Sequence, residues 1–477
     1  METHAVLLAR LQFAFTISVH IIFPAFSIGL SAFIATLLVL WRRTGSVHFH
    51  RLARFWTRIF AVSFAMGVVS GIPLSYEFGT NWSRFSAVAG NVIGPLIAYE
   101  VLTAFFLEAT FLGVMLFGWR RVPPWLHVTS AILVALGTAI SGFWILSANS
   151  WMHTPAGYVL RAGIAYPVDW LQVIFNPSFP YRFAHMMCAA YLTTSVVVLA
   201  VGARYLLQGR FAAEARTMVR MGVGMIALLG PAQLLIGDQH GLNTLKYQPA
   251  KIAAIEAHWD NDGPAALVLF AWPDVRHETN RAAMTVPHLG SLILTHDWNG
   301  RFAGLKDFPP GQRPPVVPGF FAFRLMVGIG SALIALGLGG ALLWWRRGLF
   351  AARWYLRLAS WAWPLGFIAI LAGWVTTETG RQPYVIYGIL RTDQAASPVA
   401  AGTVAVSLAL FVLVYLGVFS MGVRYIHKLI ERGPEAPTLA LPLPPAGLPN
   451  RPLSLAEPTA GAARSSGRAA SEGEPPA

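Results

Sequence analysis

Nine apolar runs constrain this chain more than any other feature. They lie at about 11–41, 55–77, 93–119, 125–149, 183–207, 218–238, 319–345, 356–378 and 398–425. About 20 mostly apolar helical residues cross the hydrocarbon core of a bilayer, and each run is long enough. A lone strand would leave its backbone groups unpaired in lipid, so every run is expected to be a helix. The expected fold class is an all-α integral membrane protein with nine transmembrane helices. Charge content agrees, because 12% of residues are charged where a soluble domain carries about 25%. The net charge of +14 would suit a nucleic-acid partner, but the basic residues cluster between the apolar runs. That distribution is the positive-inside bias of membrane proteins. The bilayer is therefore the expected surroundings, and no nucleic acid is expected. The single cysteine, Cys188, lies inside the fifth run. It permits neither an internal disulfide nor a cysteine-held metal cluster, and reads as a small core residue.

Orientation follows from the short loops. Arg42, Arg43, Arg51, Arg54, Arg58, Arg120, Arg121, Arg204, Arg210, Arg216, Arg220, Arg346, Arg347, Arg353 and Arg357 fall on one side, where the last run also exits at Arg424, Lys428 and Arg432. The opposite short loops hold only Arg84, Arg161, Arg182, Arg381 and Arg391. The first set is expected in the cytoplasm, placing the N-terminus outside and the C-terminus inside. The first apolar run is too long for a cleaved signal. One long outer loop, 239–318, contains the helix-like stretch AKIAAIEAHW and reads as folded rather than as a linker. The expected division is a membrane domain over 1–432 and a disordered cytoplasmic tail over 433–477, rich in Pro, Ala, Ser and Gly.

Ionisable groups inside spans cost about 2.5–3.5 kcal/mol each on insertion scales, so each needs a reason. His20 and His185 are the histidines well inside runs; Glu100, Glu108 and Glu378 are the carboxylates; Met326 lies beside Arg324. A rise of 1.5 Å per residue puts His20 roughly 14 Å and Met326 roughly 10 Å below the outer face. His185 and Glu378 lie near outer helix ends and Glu100 is shallow, while Glu108 lies near the midplane. Eight residues apart, Glu100 and Glu108 are offset by about 80° and share one broad helix face. Two inward carboxylates suggest a proton relay or a buried ligand set. His with Met is an axial pair for low-spin haem iron, and a lone His or carboxylate leaves a position open for oxygen. Plainer readings stand beside these: interhelical hydrogen bonding for the histidines, core packing for Met326, pairing with Arg381 for Glu378. No CxxCH occurs, which excludes covalent c-type haem.

These residues sit in stretches that resemble the large subunit of cytochrome bd-type quinol oxidases. In chain order they are RLQFAFTISVH, FGTNWSRFS, AYEVLTAFFLEATFLG, WILSANSWM, FAHMMCAAY, KIAAIEAHW, FAFRLM and GWVTTETGRQPY, covering about 5–430. The resemblance implies that His185 and Met326 are axial ligands of a low-spin haem b. It implies that His20 holds the oxygen-binding haem and Glu378 a high-spin haem b. Glu100 then lies beside the high-spin pair, Glu108 on a proton route, and Lys251 and Glu256 at the quinol site. Arg324 and Arg381 lie near the haems, with Trp374 between them. Tyr384 stands where the family often has Trp. The short outer loop is similar to the branch called cyanide-insensitive oxidase, which leaves the third haem open between haem d and a b-type haem. The implied partners are quinol, O2, a second membrane subunit (subunit II) and a small single-helix subunit.

The activity so implied is quinol:oxygen oxidoreduction, with quinol oxidised at the outer face of a bacterial inner membrane. Oxygen would be reduced with cytoplasmic protons, giving a proton gradient without a pump. Glu256 or a neighbour would take the quinol proton, Lys251 would polarise a quinol oxygen, and Glu108 then Glu100 would pass protons from the inner face toward the outer half. The rivals are a haem-free proton-coupled transporter and a haem sensor or assembly protein without oxidase activity.

Overall fold

The computed structural model describes residues 2–261 and 263–434. Eight of its helices are long and apolar enough to cross a membrane, and one bent pair makes a ninth span. Helices α1 (Glu2–Thr44) and α2 (Val47–Thr80) form an antiparallel pair. The third span is composite: α3 (Ser83–Glu100), a π-helical turn (Val101–Phe105) and α4 (Phe106–Phe117). α5 (Pro124–His153) starts on a proline, which its first turn tolerates because that amide has no helical partner. The hairpin β1–β2 (Tyr158–Arg161, Ile164–Pro167) and short α6 (Trp170–Ile174) lead into α7 (Phe179–Leu207) and α8 (Ala212–Tyr247).

The long loop is folded, as its sequence indicates. It carries α9 (Pro249–Glu256), the hairpin β3–β4 (Leu267–Asp274, Thr279–Val286) and α10 (Leu289–Thr295). α11 (Val316–Trp345) follows, then α12 (Arg353–Trp361) and α13 (Leu365–Thr379). The last elements are β5–β6 (Tyr384–Ile386, Leu390–Arg391), α14 (Thr392–Ala395) and α15 (Ala401–Arg432).

Burial identifies the centre. The most apolar stretch of α7 is 83% buried and that of α1 is 67%, against 17% for α15. α7 is therefore the axis of the bundle and α15 a peripheral helix. Small residues let α7 and α8 approach: a Cβ on Gly222 would lie 2.8 Å from Leu199 Cβ, and one on Gly202 2.9 Å from Met218 Cβ. Close backbone contact of this kind replaces hydrophobic drive between helices in lipid.

Several boundaries differ from the hydropathy reading: α1 begins at Glu2 rather than 11, and α2 at Val47 rather than 55. α3 begins ten residues before the expected 93, because Phe85, Ala89, Val92 and Leu96 form a buried helical stripe among polar neighbours. α8 continues to Tyr247, past the expected 238, and Asn243 in this extension donates to Pro177 O. The eighth span breaks by 42° between Trp361 and Leu365, because Pro364 lacks an amide hydrogen and disfavours helical geometry at Trp363. From residue 435 onward, the expected tail lies outside the described residues.

All six strands, α9 and α10 sit in loops after even-numbered spans, and so at one end of the bundle. Hydrogen bonds tie these loops together: Tyr387 N–H donates to Met152 O (2.9 Å), Ser397 N–H to Asn81 O (2.9 Å), and Asn243 Nδ2 to Pro177 O (3.0 Å).

Candidate functional site

Each of the three proposed His and Met ligands packs against a glycine of a neighbouring helix. A Cβ on Gly71 of α2 would lie 3.2 Å from His20 Cε1; one on Gly237 of α8, 3.4 Å from His185 Cε1; one on Gly373 of α13, 2.8 Å from Met326 Sδ. Two of the three have a partner that fixes orientation. Ser70 Oγ donates to Met66 O (2.9 Å), so His20 Nδ1, 2.9 Å away, is the donor to it. That leaves Nε2 of His20 as the nitrogen with a free lone pair, as a metal-binding imidazole needs. The Gln233 amide lies 3.2 Å from His185 Nε2 and donates to His185 O (3.1 Å), while His185 Nδ1 is buried without a hydrogen-bond partner.

A buried electropositive cluster lies at the loop end. Arg182, Lys251 and Arg381 are 5%, 4% and 7% exposed and face the single carboxylate of Glu378. Arg381 Nη2 pairs with Glu378 Oε2 at 2.5 Å, and Asn149 Nδ2 donates to Oε1 (2.9 Å). His153 Nε2 lies 3.5 Å from the same oxygen, and Gln248 Nε2 donates to His153 O (3.1 Å). Lys251 Nζ donates to Thr377 O (2.9 Å). Burial, and then the Arg182 guanidinium, hold the Lys251 ammonium well below the usual lysine range. The guanidiniums alone outnumber the carboxylate, and Arg182 Nε, Arg381 Nε and Arg381 Nη1 have no hydrogen-bond acceptor. Buried cations without anions are costly, so the cluster fits an anionic group. The propionates of a haem have that chemistry.

A second pair lies at the start of α11. Arg324 Nη2 pairs with Glu256 Oε2 at 2.7 Å, and its other donors reach Val268 O (2.7 Å) and Ile255 O (3.2 Å). Its guanidinium also lies over the rings of Phe320 and Phe323. Five residues apart on α9, Lys251 and Glu256 are offset by about 140°. They therefore serve different neighbours: Lys251 the Glu378 cluster, Glu256 the Arg324 pair. Met326 follows Arg324 on α11, and half-buried Trp374 follows Gly373 on α13.

The two carboxylates of the third span face one helix. Ser141 Oγ donates to Glu100 Oε1 (2.8 Å), and a Cβ on Gly137 would lie 2.6 Å from Glu108 Cγ. Gly137 and Ser141 are one turn apart on α5. The π-helical turn explains this alignment. It absorbs one residue, so Glu100 and Glu108 stand as residues seven apart would, about 20° from eclipsed rather than 80°. Glu108 is 6% exposed and its Oε1 has no hydrogen-bond partner.

The sequence reading assigns no site role to Ser70, Gln233, Asn149 or His153, and counts Arg182 only as a loop charge. Tertiary contact marks them, since each reads as an ordinary polar residue in sequence. Among the described residues no three His, Cys, Asp or Glu side chains converge as a bare metal site would require. Single His and His–Met donors are what a porphyrin iron takes from protein, and the donor set fits haem.

Comparison with known proteins gives the family of the chain. The family model for cytochrome bd terminal oxidase subunit I matches residues 8–434. The chain is 32% identical to cytochrome bd-II ubiquinol oxidase subunit 1 of Escherichia coli (strain K12), over 90% of this chain and 97% of that protein. It is 35% identical to cytochrome bd ubiquinol oxidase subunit 1 of Bacillus subtilis (strain 168), over 90% and 94%. The solved structure of bd oxidase from Geobacillus thermodenitrificans superposes with a TM-score of 0.83 at 31% identity, over 90% of this chain and 98% of that one. This multi-pass bundle, matched along almost its whole length, belongs to the cytochrome bd terminal oxidase subunit I family.

Proposed function

We propose that this chain is the haem-carrying subunit of a bacterial quinol:oxygen oxidoreductase, with His185 and Met326 holding a low-spin haem b and His20 and Glu378 serving two high-spin haems. One of those is b-type and the other is haem d or a third b-type haem. The seating of His20, His185 and Met326 against glycines of neighbouring helices carries this reading. When bound, the haems would carry electrons from quinol to oxygen, which is reduced to water.

The chain's own residues supply the remaining parts. Glu256 accepts the hydroquinone proton, and Arg324 holds its carboxylate in place. Lys251, Arg182 and Arg381 hold haem propionates in the buried cluster, and Arg381 with Asn149 orients Glu378. Glu108 and Glu100, aligned along α5, pass protons toward the oxygen site. The loop end of the bundle is the outer face, so quinol protons leave outside while oxygen reduction draws protons from within. The chain works beside a second membrane subunit, as the designation subunit 1 of its relatives implies.

His185→Ala and Met326→Leu test the assignment. Each is expected to remove the low-spin haem absorption and quinol-dependent oxygen uptake from the purified complex. A variant that keeps both would contradict it.

A further inference from the structure

The α1–α2 pair buries one more carboxylate. Glu77 is 1% exposed, and its Oε1 accepts from Thr16 Oγ1 at 2.6 Å. Its Oε2 is buried and has no hydrogen-bond partner. A carboxylate so deep in a membrane bundle is costly unless it has a use.

Its neighbours are equally underused. Gln12 lies one turn before Thr16 on α1, and Asn81 one turn beyond Glu77 where α2 ends. Gln12 Oε1, Asn81 Nδ2 and Trp82 Nε1 are all buried without partners. The helices are antiparallel, so the Gln12–Asn81 level lies next to the Thr16–Glu77 level. Buried polar groups are normally paired, and a polar layer of this kind is where ordered water is held.

The layer leads to His20. Thr16 is one turn from His20, about 6 Å along the helix. Across from it, α15 continues the column: Ser407 Oγ accepts from Gln12 Nε2 (3.1 Å), and Tyr415 OH donates to Ser70 O (3.2 Å). Ser70 in turn holds the His20 ring. The titratable groups on the elements packed against this part of α2 are His20 on α1, Tyr415 on α15, and Arg10 on α1 and Arg84 on α3, whose side chains are exposed. Glu100 on α3 and Glu108 on α4 instead face α5, and Glu214 of α8 meets Arg51 at the other end of α2. Among the described residues no cation is paired with Glu77, so a charge there is balanced by a proton or not at all.

We propose that Glu77 binds a proton whenever the haem site at His20 gains an electron, and that the Gln12–Thr16–Glu77–Asn81 layer is a hydrated column supplying it. This rests on the haem assignment of His20 above. The electron comes from quinol and adds one negative charge to the site. A hydronium ion at the loop end gives up a proton to the column, its O–H bond breaking as one forms at Glu77, and the charge is restored. When the electron passes to oxygen, that bond breaks and the proton returns to the column.

Redox-induced infrared difference spectra of the complete purified oxidase, in water and in deuterium oxide, test this. On reduction, a carboxylic-acid carbonyl band should appear, shift with deuterium, and vanish in Glu77→Gln while haem absorption is kept. The midpoint potential of the high-spin haem at His20 should also depend less steeply on pH in that variant. An unchanged band and an unchanged pH dependence would overturn the proposal, as they would for a permanently protonated structural acid. Should Glu77→Gln fail to retain haem, Thr16→Val keeps the carboxylate and removes its hydrogen bond. The same band must then move, and a fixed band overturns the proposal. Wild-type oxidase without haem bands would overturn the haem assignment as well, whereas intact haem bands with no Glu77 signal defeat this inference alone.

Discussion

At the scale of single residues, the seating of His20, His185 and Met326 depends on a missing side chain opposite each. A methyl at Gly373 would sit 2.8 Å from Met326 Sδ, closer than carbon and sulfur tolerate. Overpacking of this kind costs about 1–3 kcal/mol or moves the neighbour. Gly373→Ala is therefore expected to shift or abolish the low-spin haem band while the high-spin bands persist, and absorption spectroscopy of the reduced variant checks this. Glu256→Gln removes the proposed proton acceptor but keeps a partner for Arg324. Quinol oxidation should fall by roughly 10²–10⁴-fold, the usual contribution of a positioned base, with the haem spectrum unchanged; a steady-state oxygen-uptake assay reads it. His20, His185, Glu100 and Glu108 were legible in the sequence because an ionisable residue inside an apolar run is conspicuous. Arg182 and Glu77 were not. The first reads as a loop charge and the second as an interfacial residue at a span limit, and only packing shows both to be buried.

At the scale of elements, hydropathy located every span but not its internal breaks. The π-helical turn over Val101–Phe105 has no Gly or Pro to announce it, yet it brings Glu100 and Glu108 into line on α5. Its effect is measurable at Gly137, which admits Glu108. Gly137→Ala and Glu108→Gln should both slow turnover and leave the haem spectrum intact, one by displacing the carboxylate and one by neutralising it. Unchanged oxygen uptake in Glu108→Gln would remove Glu108 from the proton route. The helix in the long loop was legible from KIAAIEAHW, because its apolar residues recur around a helix. The division of labour along it was not. Lys251 and Glu256 sit in one motif, but their angular offset sends one into the Glu378 cluster and the other to Arg324.

At the scale of the whole molecule, the proposed ligands, the Glu378 cluster and the folded loops concentrate toward one end of a bundle whose axis is α7. The other end is marked by short, arginine-rich turns. The peripheral α15 exposes Val406, Leu410, Leu413, Val414 and Met421, a face suited to lipid or to a second membrane subunit. The number of spans and their order were readable from apolar runs, since lipid imposes a minimum length on each. The neighbour against which each His, Met and Glu side chain packs was not, because it depends on which helices adjoin. Whether the chain carries haems between quinol and oxygen is read from the absorption spectrum of the purified oxidase, taken anaerobically with quinol as the only reductant and again after oxygen is admitted. Quinol is expected to bring up reduced-haem bands of low-spin and high-spin type, and oxygen to remove them. A spectrum without haem bands, or haem bands indifferent to quinol and oxygen, would rule this role out.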